Sequence, residues 1–176
     1  MTYTVDERDV VVSSDALPAP DFGAPLPHVV ADGYRTCVVY VEHVPDPSWD
    51  GTYARVVGPD SEDENLVVAT FEGCLSVLFG MPNDEALAGH PLATRGLCPC
   101  GVFEIRESSW IRELDNRNAV HSRHRRGLWC TTFRHFVVTF HDSTFECVAR
   151  TVAFERVRGS VARVLEEQAR AIHRTN

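Results

Sequence analysis

The chain of 176 residues has no lysine; its 17 basic residues are all arginine. Without an ε-amino group there is no Schiff-base chemistry, no pyridoxal-phosphate lysine and no lysine for a Walker-type phosphate loop. Neither a G-x-G-x-x-G fingerprint nor a G-x-S-x-G nucleophile elbow occurs. No apolar run approaches the ~18 residues of a membrane span. The opening MTYTVDERDVVVSS carries acids where a signal peptide needs a basic patch and an apolar block. These lacks lead to the expectation of a cytoplasmic protein. Its six cysteines (Cys37, Cys74, Cys98, Cys100, Cys130 and Cys147) then read as reduced thiols.

What is present is ordinary in amount and uneven in place. Hydrophobic residues make up 44% and charged residues 24%, as in a globular protein. The length suits one domain spanning 1–176. Residues 1–75 hold 14 of the 25 acids but only 3 of the 17 arginines, leaving 11 acids and 14 arginines for the rest. A net charge of −8 argues against general nucleic-acid binding, which rests on broad phosphate neutralisation. A local anion site is still compatible with it.

Four prolines and two glycines make 13–33 a connection, and GPDSEDEN (58–65) an acidic loop. PDPSWDGTY (45–53) reads as a turn region. Strands are predicted at 34–44, 66–71 and 102–107, while GCLSVLFG is ambiguous between strand and helix. Residues 81–101 read as irregular, with one helical turn at NDEALA. Ser108 is a suitable N-cap for a helix over 108–120, and HSRHRRG follows as a loop. WCTTFRHFVVTF and TFECVARTVAFERV are the strongest strand patterns. After Gly159, Val161, Val164, Leu165 and Ala169 form the apolar stripe of an amphipathic helix, with Glu166 and Arg170 as an i,i+4 pair. The predicted class is α+β: a mainly antiparallel sheet, one mid-chain helix and a C-terminal amphipathic helix.

A hairpin turning at Asp142–Ser143 sets Phe140 opposite Phe145, Val138 opposite Cys147 and Phe136 opposite Ala149, all on one apolar face. A loop of three residues would bury a carboxylate among them, so the pattern disfavours it. The other face receives His135, Val137, Thr139 and His141 with Thr144, Glu146, Val148 and Arg150. If the amino-terminal segment or the 81–101 loop covers this band, it becomes a polar pocket. His141 and Glu146 are then expected to form an orienting hydrogen bond, with His135 as a further acid–base group.

NRNAVHSRHRR brings Arg117, Arg123, His121 and His124 into a short span suited to a carboxylate or phosphate, although the same run serves as a solvated basic loop. His90, Cys98 and Cys100 are the candidate zinc ligands, but C-x-C is not the C-x₂-C knuckle and no second pair follows. Ser108 and Ser109 read as helix caps, and Cys147 and Cys130 share an inward parity. PNDEALAGHPL, VFEIRESSWI and RHFVVTFHDSTFEC together resemble a widespread bacterial family of small proteins to which no activity is attached. The resemblance spans about residues 81–149 and implies no ligand.

The expectation from sequence is therefore a His/Glu/Arg-lined pocket for a small organic anion, with possible metal-free acid–base chemistry and no cofactor. His141, Glu146 and His135 are its candidate catalytic groups. Arg150, Thr139, Arg117, Arg123, His121 and His124 are its candidate ligand contacts. The alternatives are a protein–protein or self-association module, a homo-oligomer included, and a small zinc-binding protein.

Overall fold

A side-chain period of two runs through VVYV, LVVAT, HFVVT and FECVA, and each of these segments is a strand buried on both faces. The computed structural model describes residues 3–45, 47, 49, 50, 52 and 55–174, so the turn region predicted at 45–53 lies largely outside the described residues. The strands are β1 (Val10–Ser13), β2 (His28–Ala31), β3 (Arg35–Val41), β4 (Glu64–Glu72), β5 (Ser76–Gly80), β6 (Val102–Arg106), β7 (Arg134–Thr139), β8 (Thr144–Ala149) and β9 (Thr151–Gly159). The helices are α1 (Ser109–Asn118), α2 (Leu128–Thr132) and α3 (Val161–Arg174). All the strand pairs are antiparallel and form two sheets, β1-β6-β7-β8-β5 and β2-β3-β4-β9. The α+β class with a mainly antiparallel arrangement is as predicted.

Three apolar clusters stack through the molecule. The central one joins Val38, Tyr40, Val67, Ala69 and Phe71 of one sheet to Phe136, Val138, Phe145 and Cys147 of the other. The alternate residues of β3 and β4, Val39, Val41, Leu66 and Val68, pack under Val161 and Val164 of α3. The alternate residues of β6, β7 and β8, among them Phe103, Ile105, Val137 and Val148, pack under Tyr3, Leu92, Leu97, Trp110 and Ile111. The amino-terminal segment, the 87–97 turns and α1 thus form an outer layer over the five-stranded sheet.

Several local expectations are corrected. LWCTT opens no strand. It forms α2, because the Asp115 carboxylate accepts from the backbone N–H of Gly127 at 2.8 Å and of Trp129 at 3.3 Å and organises a helical turn there. Cys130 is accordingly exposed. TFECVARTVAFERV is two strands: the chain turns at Arg150 and passes from one sheet to the other. The 13–33 connection contains β2 and a bridge between Pro20 and Glu42. The acidic loop ends at Asp63, since Glu64 opens β4, buried and gripped at both oxygens by Arg55 (2.5 and 2.7 Å). GCLSVLFG resolves as β5, and NDEALA leads into a single 3₁₀ turn, Leu87–Gly89.

The β7–β8 register differs by two residues from the predicted one. Val138 faces Phe145, Phe136 faces Cys147 and Thr139 faces Thr144, so the turn residues are His141 and Asp142. A slide of two preserves the faces. Phe136, Val138, Phe145 and Cys147 go to the central cluster, while His135 and Glu146 go to the opposite side.

Candidate functional site

That opposite side is covered, by both of the segments that could reach it. His135 is fully buried and Glu146 is 6% exposed. The Glu146 carboxylate accepts from three donors: the Tyr3 hydroxyl to Oε2 at 2.6 Å, His135 Nε2 to Oε2 at 3.1 Å and His90 Nε2 to Oε1 at 3.1 Å. Burial by itself would raise the Glu146 carboxyl. The hydrogen bonds from His135, His90 and Tyr3 outweigh it and hold the group at about 2. Tyr3 moves the other way: burial and then the adjacent Glu146 charge push its phenol upward.

The bonds on the remaining ring nitrogens assign the tautomers. The backbone N–H of Leu92 donates to His90 Nδ1 at 3.1 Å, so His90 carries its proton on Nε2 and gives it to Glu146. His135 Nδ1 lies 2.9 Å from Ser108 Oγ, while its Nε2 faces the carboxylate. With Nε2–H committed to Glu146, Nδ1 is the acceptor and the Ser108 hydroxyl the donor. Trp110 and Tyr3 clamp the His135 ring edge-on, at centroid distances of 5.0 and 5.5 Å, and stack on each other at 5.0 Å.

Ser108 sits where strand becomes helix. Glu107, just after β6, takes a left-handed φ of 51°, and Ser108 then caps α1, accepting from the Ile111 N–H at 3.3 Å. The Asp9 carboxylate receives the next amide, that of Ser109, at 2.7 Å and ties the amino-terminal segment to the helix start. Beside this junction opens a cleft of about 500 Å³, lined by Glu104, Arg106, Ser108, Arg112, Thr131 and Arg134 among others. Arg134 forks onto Glu104 at 3.0 and 2.5 Å, and Arg112 reaches Asp6 at 2.7 Å and the Glu107 carbonyl. Arg106 meets no carboxylate within ion-pair distance among the described residues.

The other predicted site residues lie elsewhere. His141, in the hairpin turn, does not meet Glu146. It is 44% exposed and bonds Asp84 at 2.6 Å; that contact raises the imidazole above its ordinary value. Thr139 donates to the Cys98 carbonyl at 2.7 Å and accepts from the Gly101 N–H at 2.9 Å. Thr144 donates to the Pro82 carbonyl at 2.9 Å. These groups hold the 81–101 lid in place. Arg150 stands at the corner between β8 and β9, exposed, with its guanidinium over the Phe133 ring. Arg117 pairs with Glu113 along α1. His124 is buried against Asp115 at 3.0 Å, and His121 and Arg123 are exposed in the loop. The basic run is thus anchored by Asp115 rather than gathered around a site.

Both ring nitrogens of His90 are engaged in the Glu146 network, away from the exposed Cys98. Among the described residues, no group of three or more His, Cys, Asp or Glu could hold a metal ion. None of their helices is long and apolar enough to cross a membrane. Sequence reasoning did not reach Tyr3, Arg106, Arg112 or Arg134, nor the second bond of Ser108. Comparison with protein-family models, with curated proteins and with solved structures finds no match.

Proposed function

We propose that this chain binds a small organic anion in the cleft at the β6–α1 junction and acts on it by metal-free acid–base chemistry through Ser108, His135 and Glu146. One observation carries the reading: Ser108 belongs both to the cleft wall and to the buried relay. Glu146 is ionised and fixes His135 with Nδ1 toward the serine. The serine proton passes to Nδ1 as the hydroxyl oxygen attacks an acyl carbon, and the resulting imidazolium is stabilised by the carboxylate. The acyl–oxygen or acyl–sulfur bond breaks as the leaving group takes that proton. A water that gives its proton to Nδ1 then releases the acyl group as a carboxylic acid, while the serine oxygen recovers its proton from Nδ1. Arg106, which meets no carboxylate within ion-pair distance among the described residues, presents its guanidinium fork to a carboxylate elsewhere on the same ligand, beside the Arg134–Glu104 and Arg112–Asp6 pairs of the cleft wall. The substrate class is thus a small ester or thioester bearing an acid group, handled in a reducing cytoplasm.

A fluorophosphonate, a neutral serine-directed reagent, tests this. The expected result is one covalent adduct, mapped to Ser108 by peptide mass. Ser108→Ala should abolish the adduct, and His135→Gln should slow its formation by about 100-fold or more. Succinate or citrate at millimolar concentration should protect. Absence of labelling removes the chemistry; labelling without protection removes the anion.

Self-association without catalysis is the second reading. It is favoured by β9, a nine-residue strand at the edge of its sheet with Phe154 40% exposed. A dimer by sizing that dissociates with added salt would support it, given the acidic and basic halves.

A further inference from the structure

The Sγ atoms of Cys74 and Cys147 lie 3.4 Å apart, brought together across 73 residues. Cys147 projects from β8 into the central cluster and is fully buried. Cys74 follows β4, on the crossover to β5, and is half-buried. Cys74, whose sulfur also lies 3.4 Å from the Phe71 carbonyl, is the more exposed residue of the two. We propose that Cys74 and Cys147 are a peroxide-reactive pair, with Cys74 as the attacking sulfur and Cys147 as the resolving one. This is independent of the cleft chemistry.

The surroundings favour that division of labour. The Cys147 S–H donates to Cys74, which draws the Cys74 thiol below the ordinary range and pushes that of Cys147 upward. The buried Thr36 hydroxyl, which has no hydrogen-bond partner among the described residues, is a further group that lowers the Cys74 thiol. Cys37, Cys100 and Cys130 are shifted upward, burial being the first cause in each.

In the first step the Cys74 thiolate attacks one oxygen of hydrogen peroxide. The O–O bond breaks, an S–O bond forms, and the departing hydroxide takes up a proton as water; the sulfur is oxidised by two electrons. In the second step the Cys147 sulfur attacks Cys74. The S–S bond forms, the S–O bond breaks, and the hydroxide leaves as water with the Cys147 proton. Two thiols and one peroxide yield one disulfide and two waters. Closing to the ~2.0 Å of a disulfide moves the sulfurs together by a little over 1 Å. The bond pins the β4–β5 crossover, which joins the two sheets, to β8. A small dithiol reverses it by two exchanges.

The full chain, reduced and then given equimolar to tenfold hydrogen peroxide, is alkylated with N-ethylmaleimide and weighed intact. The expected product carries two fewer alkyl groups, and proteolysis yields a Cys74–Cys147 cross-linked peptide that dithiothreitol releases. Its melting point should rise by about 5 °C or more over the reduced form. Cys74→Ser should abolish the cross-link. Cys147→Ala should leave a sulfenic acid that dimedone traps at Cys74. If wild-type protein oxidises at Cys98 or Cys100 while Cys74 stays alkylatable, the proposal is overturned, however the variants fold.

Discussion

Glu146 is the residue on which the outer layer depends. Three donors from three distant parts of the chain converge on it, and none has another acceptor of comparable strength. Glu146→Leu leaves all three unpaired in a dry site, and a loss of roughly 3–5 kcal/mol is expected. Glu146→Gln is milder, about 1–3 kcal/mol, because one amide N–H₂ meets N–H donors that the carboxylate accepted. Urea unfolding at pH 7 measures both. The pH dependence follows from the carboxyl being held at about 2 against an ordinary 4.5. A depressed carboxyl stabilises the fold above its unfolded value, and that stability is lost as pH falls from 4.5 through 2. Wild-type stability should therefore decline across that window, and Glu146→Gln should decline less.

The residue scale also shows where local patterning stops. The parity of His135 and Glu146 was legible, since alternation places them opposite the phenylalanines. The hydrogen-bond partners were not: His90 and Tyr3 are 56 and 143 residues from Glu146, and such contacts leave no mark on a local pattern. His90 was noticed for zinc chemistry beside Cys98 and Cys100 and serves instead as a donor to a carboxylate. Ser108 was legible as a cap, while its hydroxyl proton goes to a histidine that only the tertiary fold brings near.

At the scale of elements, the chain's crossing between sheets at Arg150 is supported from beneath. Gly73 has a φ of 66°, and a Cβ there would come within 2.9 Å of the Arg150 side chain. Gly73→Ala should cost on the order of 2 kcal/mol, combining the left-handed backbone with the clash. In an Arg150→Ala background the contacts with Cγ and Cδ disappear, so the cost falls toward the backbone part, about 1 kcal/mol, with only the 3.3 Å approach to the retained Cβ added. A double-mutant cycle in denaturant reads the difference. The crossing was illegible for a simple reason: both strands have high β propensity, so TFECVARTVAFERV reads as one. Patterning likewise missed α2, where LWCTT is strand-like in composition and a distant aspartate overrides it.

At the scale of the whole molecule, the helix stripe, the two-faced strands and the lid combine into successive layers. Most of the α3 stripe was readable, because helical periodicity lies within one segment: Val161, Val164 and Leu165 pack as the spacing predicts, while the buried Ile172 extends the stripe by a further turn. Val164 is completely buried against β3 and β4. Val164→Asp should lower stability by several kcal/mol, with loss of helical signal, by circular dichroism in urea. The layering explains why polar residues in the β7–β8 ribbon were easy to find and hard to interpret. A band of His, Thr and Glu on an otherwise apolar ribbon has the appearance of a wet exterior or a pocket. Much of it is adhesive for a covering loop, and the fully buried His135 connects with the cleft only through Ser108 in its wall.

The β8 strand faces a different core on each side, and this makes Glu146 a sentry over alignment. If the strand slipped by a single position during folding, the carboxylate would land among Phe71, Phe136 and Val138, stripped of every donor, while Phe145 would be thrust against Tyr3 and His90. Forms out of step by one residue are thereby penalised from both sides at once.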